Sequence, residues 1–411
     1  MSLNLDKSSW ARVAFGDVVR NANETLRDPA ANGIDRLIAM EHLDPGELKI
    51  RRWGSIEDGT TFTRRVKPGQ TLFGKRRAYQ RKVAYADFDA ICSGDIYTFE
   101  ANEAHLLGEF LPFLVQSDRF FDHALDTSAG SLSPRTSWRD LAGLEFDLPP
   151  LDQQQRIAGL LWAVERHARE TRRLLDTVRR SHELARLALL SVGPRGGWIS
   201  AELSPNAVNT WSESVPTGWA GETIGSVGRV KAGATPNRSR QQRFFDGGEI
   251  PWVKTLDLNE DLLVTTDEKI TQAAVVETSA KVVPAGTVLV AMYGGFGQIG
   301  RTARLGMDAA TNQAVSAVLQ LRQDVDPRFL HEVLKAGRPK WKKVAASSRK
   351  DPNITKADVE AFDFPLPPLA QQAEILDALG VFEAARGSIA IEVDSLDAAR
   401  SALLGQIFGG R

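Results

Sequence analysis

The sequence predicts an α+β protein in which two α/β domains alternate with two long helices that pair as an antiparallel coiled coil. Three observations carry this expectation. An internal duplication recurs 218 residues apart, two segments keep a 3.5-residue apolar period, and a β-rich stretch broken by turns precedes each of them.

The duplication comes first because it organises the rest. The segment beginning at Ser133, SPRTSWRDLAGLEFDLPPLDQQQRIAGLL, aligns without a gap on DPNITKADVEAFDFPLPPLAQQAEILDAL, beginning at Asp351. Eleven of the 28 residues from 134 to 161 are identical, among them Pro134/Pro352, Asp140/Asp358, Phe146/Phe364, Pro149/Pro367, Pro150/Pro368, Gln153/Gln371 and Gln154/Gln372. Chance would give roughly one or two at ordinary residue frequencies. Each Pro-Pro-Leu ends what precedes it and opens a helix, since proline loses no hydrogen bond in a first turn. Asp152 is a candidate cap for the first helix, and Ala370 at the matching place is not.

The helices follow from spacing. Ile157, Leu161, Val164, Ala168, Thr171, Leu175, Val178, His182, Ala185 and Leu189 alternate in steps of four and three. So do Ile375, Leu379, Phe382, Arg386, Ile389, Val393, Leu396, Arg400, Leu403 and Ile407. Five heptads of this period make a coiled-coil seam rather than the drifting stripe of an ordinary amphipathic helix. The apolar members (Ile157, Leu161, Val164, Leu175, Val178, Ile375, Leu379, Phe382, Ile389, Val393 and Leu396) are the candidate helix-pair and subunit interface. Thr171, His182, Arg386 and Arg400 interrupt it, either to set register or to face another protein. His182 reads as structural rather than as a ligand.

The boundaries are therefore 1–148 for the first domain, 149–195 for the central helix, 196–366 for a linker and second domain, and 367–411 for the C-terminal helix. Trp10 to Val18 faintly echoes Trp219 to Val227. Lys67-Pro68-Gly69 and Val283-Pro284-Ala285-Gly286 each turn into an apolar run, Leu72-Phe73 and Val288-Leu289-Val290. Further strands are expected at Ala90–Phe99 and Ala314–Leu321, and helices at Leu107–Ser117 and Pro327–Ala336. Elsewhere the two domains differ strongly in sequence.

At 411 residues the chain is too long for one ordinary core. No stretch approaches ~18 uninterrupted apolar residues and the N-terminus lacks a signal-peptide core, so no membrane partner is expected. Cys92 is the only cysteine, which leaves no disulfide framework and no zinc spacing. No metal site is expected, and a reducing cytoplasm is the expected compartment.

The net charge of −1 argues weakly against a nucleic-acid partner, but its distribution argues the other way. Arg64 to Lys82 holds eight basic residues and no acid, Arg229 to Arg243 five, and Arg338 to Lys350 six. Such runs are candidate phosphate-binding surfaces, with solvated loops as the plainer alternative. Gly295-Phe296-Gly297-Gln298-Ile299-Gly300 fits a dinucleotide-binding spacing, yet no helical period follows it. A glycine loop built for close backbone approach fits better, with DNA as one surface it could approach. No Walker A, zinc-protease or nucleophile-elbow motif is present, and Asp147-Leu148-Pro149-Pro150 resembles the Asp-Pro-Pro-Tyr of adenine methyltransferases only superficially.

These motifs together resemble the specificity subunit of type I restriction–modification systems. The likeness rests on Leu148-Pro149-Pro150-Leu151-x-Gln153-Gln154 and Leu366-Pro367-Pro368-Leu369-x-Gln371-Gln372, each ending a domain and opening a long helix. Lys231-Ala232-Gly233-Ala234-Thr235-Pro236, Gly248 to Lys254, and Leu72 to Tyr79 add to it. Gln153 and Gln371 depart from the family pattern, where glutamate is common. The resemblance implies a non-catalytic subunit that reads bipartite double-stranded DNA, one target-recognition domain per half-site, with the helix pair as spacer. It implies two modification subunits bringing S-adenosylmethionine for adenine N6 methylation, and restriction subunits using ATP and Mg. No cofactor is expected in this chain. The DNA-contacting candidates are Arg64, Arg65, Lys75, Arg76, Arg77, Tyr79 and Lys82 in the first domain. In the second they are Lys231, Thr235, Arg238, Lys254, Tyr293, Gln298, Arg301, Lys342, Lys343 and Arg349. A coiled-coil scaffold or partner-binding protein that does not recognise DNA is the competing reading.

Overall fold

The computed structural model describes residues 5–130, 133–193, 216, 218–345 and 353–409. It divides into two compact units, Met1–Leu174 with Ile389–Arg411, and Leu175–Ser388. Each unit holds one α/β module and a part of both long helices.

In the first module an antiparallel pair, Ala11–Ala14 with Glu145–Leu148, ties the start of the module to its end. A four-stranded antiparallel sheet runs in the order Val19–Asn21, Ile96–Ala101, Thr71–Gly74, Val83–Tyr85. A second sheet runs Gly54–Ser55, Arg36–Ile38, Ala90–Cys92, Arg64–Val66, its middle pair parallel. Phe15, Phe73, Phe99 and Phe120 fill the space over the first sheet, with Phe73 and Phe120 edge-on at 5.2 Å. Burying each such ring contributes about 1.5–3 kcal/mol.

The second module repeats this wiring. Ala220–Thr223 pairs with Asp363–Leu366. The first sheet runs Arg229–Ala232, Val315–Leu319, Val288–Ala291, Thr302–Leu305, with Leu262–Leu263 added at its edge. The second runs Glu268–Ile270, Ile250–Val253, Ala309–Thr311, Val282–Val283, again with a parallel middle pair. The two turn-then-strand signals therefore mark equivalent central strands, Thr71–Gly74 and Val288–Ala291.

Three local expectations change. The single strand expected at Ala90–Phe99 is two strands in different sheets, because Ser93-Gly94-Asp95 turns the chain between them. The helix expected at Leu107–Ser117 is Leu111–Gln116, and Ser117 stops it by capping a further helix, Asp118–Asp126, through Phe120 N. The helix Pro327–Ala336 stands as expected, capped by Asp326. Asp152 caps nothing: it lies inside the first turn of the central helix and pairs with Arg156.

The long helices are Leu151–Val192 and Leu369–Phe408. In the first unit Glu165 meets Arg400 and Arg172 meets Asp397, so the residue number falls along one helix as it rises along the other. The pairing is antiparallel. Ile157, Leu161, Leu403 and Ile407 are buried in the first unit's core, and Ile375 and Leu379 in the second's. Leu175 is buried as well. Val164, Val178, Phe382, Ile389, Val393 and Leu396 are half-buried. Three of the polar seam residues, Arg400, His182 and Thr171, find partners inside the fold. Arg400 lies 3.5 Å from buried Glu165 and donates to Gly46 O at 2.7 Å. His182 stacks flat on Phe382 at 5.7 Å, with Arg186 at 3.4 Å. Thr171 Oγ1 donates to His167 O at 3.0 Å.

Candidate nucleic-acid interface

The site is built from what the sheets hold in place. In each module the chain leaves the central strand of the first sheet, makes a loop and returns on the next strand. These loops are Lys75–Lys82 and Met292–Arg301. The sequence candidates from two unlike stretches thus occupy one topological position in two modules.

In the first loop Arg77 (φ 56°) and Arg81 (φ 52°) both take the left-handed conformation around a short turn, Ala78–Gln80. Such geometry persists only where the surroundings impose it. Arg81 does so by donating to Gln116 O (3.1 Å) and Asp118 Oδ1 (2.7 Å) and lying over the Phe121 ring. Arg76 donates to Ser133 Oγ at 2.6 Å and faces Asp95 at 3.5 Å. Lys82 donates to Met40 O at 2.6 Å. Lys75 sits over Tyr97, and its pKa is lowered by burial and by the nearby Arg64 charge. Arg64 is bonded to Ile96 O, and Arg65 bridges Glu24 and Asp89. Most of the basic run is therefore engaged within the module. Arg77 and Tyr79 are exposed, and the Arg77 side chain has no partner among the described residues.

In the second loop Gly294 (φ 113°), Gly295 (φ 73°) and Gly300 (φ 72°) supply the left-handed positions. A Cβ on Gly300 would lie 2.0 Å from the Trp341 ring, so that glycine exists for internal packing. For Gly300 the close backbone approach expected of this glycine loop is therefore to Trp341. No helix opens at these glycines, and the chain continues into the strand Thr302–Leu305, so the dinucleotide reading falls. Arg338 donates to Gly297 O at 2.6 Å, and Arg301 to Gln298 Oε1 at 3.1 Å. Tyr293 and Phe296 are exposed.

Beside this loop Arg229–Ala232 and Val288–Ala291 run in the same direction across their shared neighbour, so Gly233–Pro236 and Met292–Arg301 leave the sheet at one end. Gly233 is obligatory, since a Cβ there would meet Thr311 O at 2.1 Å. Lys231 and Thr235 are exposed, and Thr235 bonds Gln313. Arg238 lies over the Phe245 ring at 4.3 Å and pairs with Glu268 at 2.7 Å. Lys254 binds Asp267 and Glu268 at 2.9 and 2.8 Å, which raises its pKa. The side chains of Lys342 and Lys343, and the whole of Arg349, lie outside the described residues. Among the described residues no group of three or more His, Cys, Asp and Glu side chains is placed to hold a metal ion, and no helix is long and apolar enough to cross a membrane.

The duplicated Gln-Gln pair has a structural purpose that the sequence did not disclose. Trp10 Nε1 donates to Gln153 Oε1 at 2.9 Å, and Trp219 Nε1 to Gln371 Oε1 at 2.8 Å. A glutamate would accept these bonds equally well, so the departure from the family pattern leaves the geometry intact. Gln154 uses both ends of its amide. It donates to His105 O and Pro149 O and accepts from Leu107 N, at 2.8, 2.8 and 2.9 Å. Gln372 does the same with Asp324 O, Pro367 O and Asp326 N, at 2.7, 2.8 and 2.8 Å. The faint echo between Trp10 and Trp219 marks these partners.

The family model for the type I restriction modification DNA specificity domain matches residues 58–179 and 216–392. The chain belongs to this family. The two matched segments take in most of the two modules and much of both long helices. The chain is 23% identical over 169 residues to the specificity subunit of the Escherichia coli type I restriction enzymes EcoR124I/EcoR124II, covering 41% of this chain and 42% of that subunit. It is 26% identical over 173 residues to the MjaIX specificity subunit of Methanocaldococcus jannaschii, covering 41% and 39%. These matches span about two-fifths of the length of the curated relatives. In fold, the chain is similar over 98% of both lengths to a chain of a solved type I restriction–modification system (TM-score 0.63, 23% identity). It is similar over 100% and 99% to the S subunit of M. genitalium (TM-score 0.58, 12% identity).

Proposed function

We propose that this chain is the sequence-specific DNA-recognition subunit of a type I restriction–modification complex. Each module reads one half of a bipartite target, and the helix pair is the spacer between the halves. The observation that carries this reading is the equivalence of the two loops: two modules of one wiring present loops of different sequence at one position. A protein that must read two different half-sites needs that arrangement. A scaffold has no use for it.

In this reading the chain catalyses nothing. Two modification subunits dock along the helices and bring S-adenosylmethionine for adenine N6 methylation. Restriction subunits bring ATP and Mg, and the complex works in the cytoplasm. Arg77, Tyr79, Lys231 and Tyr293 are the residues assigned to DNA contact first, because their side chains are exposed and are not engaged in bracing the fold, and Thr235 and Gln298 join them from their bonds to Gln313 and Arg301. Arg and Gln are suited to guanine and adenine edges in the major groove, and Lys to phosphate. Arg64, Arg65, Lys82 and Lys254 act behind them, engaged in bonds within their modules.

The test is retention on double-stranded DNA as salt rises, made with the chain assembled with its modification subunits. Binding should weaken log-linearly with salt. Arg76→Ala with Arg77→Ala should impair recognition of one half-site, and Gln298→Ala with Arg301→Ala the other. Retention that ignored salt, or a loss that tracked neither half, would favour the scaffold.

A further inference from the structure

We propose that each module carries one aromatic ring that packs against DNA bases, Tyr79 in the first and Phe296 in the second. This rests on the DNA-recognition reading above and goes beyond it to the residues that make apolar contact. The register identifies the pair. Gly74 and Ala291 are equivalent strand ends, each the last residue paired with the neighbouring strand, Ile96–Ala101 or Val315–Leu319. Tyr79 and Phe296 are both the fifth residue beyond them. Two residues before each ring the backbone is left-handed, at Arg77 (φ 56°) and Gly294 (φ 113°). Both rings are exposed, Tyr79 at 56% and Phe296 at 50%. Tyr293 holds the position of Arg76, an anchoring residue, and is not the counterpart.

An exposed ring on a mobile tip would need no explanation. These tips are fixed. Arg81 clamps the first loop to Gln116 and Asp118, and Arg338 and the Trp341–Gly300 contact clamp the second. Each ring is therefore held outward at a defined place, with Arg77 near one and Gln298 and Arg301 near the other. A polyanion with flat apolar faces inside suits that surface. The cations meet phosphate, and the ring meets a base face or a thymine methyl group.

The two kinds of contact separate by salt dependence. The probe is a duplex carrying the bipartite sequence found by mapping N6-methyladenine in cells that express the wild-type complex. Phe296→Ala and Tyr79→Ala, each in the full complex, should weaken binding about tenfold or more, the size of one lost base contact. The slope of log affinity against log salt should stay at the wild-type value, because no phosphate contact is removed. Arg77→Ala should instead reduce that slope by about one. Phe296→Tyr and Tyr79→Phe should restore binding. Because both rings lie outside the core, the melting temperature should not move. Wild-type affinity in both alanine variants would overturn the proposal. So would loss of modification subunits with DNA affinity per assembled complex unchanged, since the rings would then belong to a protein contact. A wild-type complex that binds no duplex at all would sink the DNA reading itself, and this inference with it.

Discussion

The two modules share their wiring and almost none of their surface chemistry. In the first, a charged loop is held by arginines: Arg76 to Ser133, Arg81 to the capped helix Asp118–Asp126. In the second, a glycine loop is held by backbone approach to Trp341, with one arginine, Arg338, reaching Gly297 O from outside the loop. One position in the fold is thus stabilised mainly by side-chain charge in one module and by close backbone packing in the other. The sheet supplies the platform through main-chain pairing, which tolerates many side chains, so the loop is free to change. The junction is not. Trp10 and Trp219, and both Gln-Gln pairs, make the same bonds in each module, because a fixed backbone geometry at the helix start leaves those donors and acceptors no other partner.

The long helices diverge in charge rather than in geometry. The central helix has eight arginines against five carboxylates, and the C-terminal helix two against six. Cross-helix pairs such as Arg172–Asp397 and His167–Glu392 use that difference. Each helix is better matched to the other than to a copy of itself.

The largest effect expected from these contrasts is in the helix pair. Leu161→Asp places a charge at a fully buried position and should cost about 4 kcal/mol or more, abolishing assembly. Leu396→Asp, at a half-buried position, should cost about 1 kcal/mol. Equal losses in denaturant melts would mean that the seam is buried evenly, against what the packing indicates.

Next come the two glutamine clamps. Gln154→Ala and Gln372→Ala should each cost about 2 kcal/mol by removing three hydrogen bonds to the backbone, one of them buried, and by similar amounts. Thermal melts that found only one of them destabilising would break the equivalence of the modules.

Spacing is a third contrast. Four residues inserted after Thr171 and four after Val393, which faces that turn in the antiparallel register, should lengthen the spacer by about 6 Å. The apolar face returns to within roughly 40°, so pairing should survive. Methylome sequencing should then find half-sites unchanged and their gap longer by about one or two base pairs. An unchanged gap would mean that the helices do not set it.

The smallest effect is on pH dependence. His182 and His331 are held down to about 4, in both cases by burial first and then by a neighbouring cation, Arg186 or Lys335. They stay neutral in the fold while the unfolded chain takes up protons near 6.5. Their contribution is therefore present above pH 6.5 and is lost as the pH falls towards 4. Glu165 in the first unit is shifted the opposite way, raised by burial, and its contribution falls as pH rises. His182→Gln should flatten the decline in melting temperature between pH 6.5 and 4.5. A decline as steep as wild type would remove His182 from the explanation.

The sequence by itself determined the architecture. Helix length, seam period and duplication are local or repeated signals, and each is set by spacing along the chain, which folding does not alter. It also marked both loops, through charge in one and glycine in the other. What it did not disclose is how the side chains divide their work. Arg65 and Arg77 look alike in a basic run, yet one bridges Glu24 and Asp89 and the other faces solvent. Phe296 reads as part of a glycine motif until the strand register gives it the same position in its loop as Tyr79 has in the other. Those assignments depend on partners distant in sequence and on which strand ends lie level. Only the tertiary structure decided them, because hydrogen bonds and ion pairs form between groups that the chain brings together, not between groups that share a pattern.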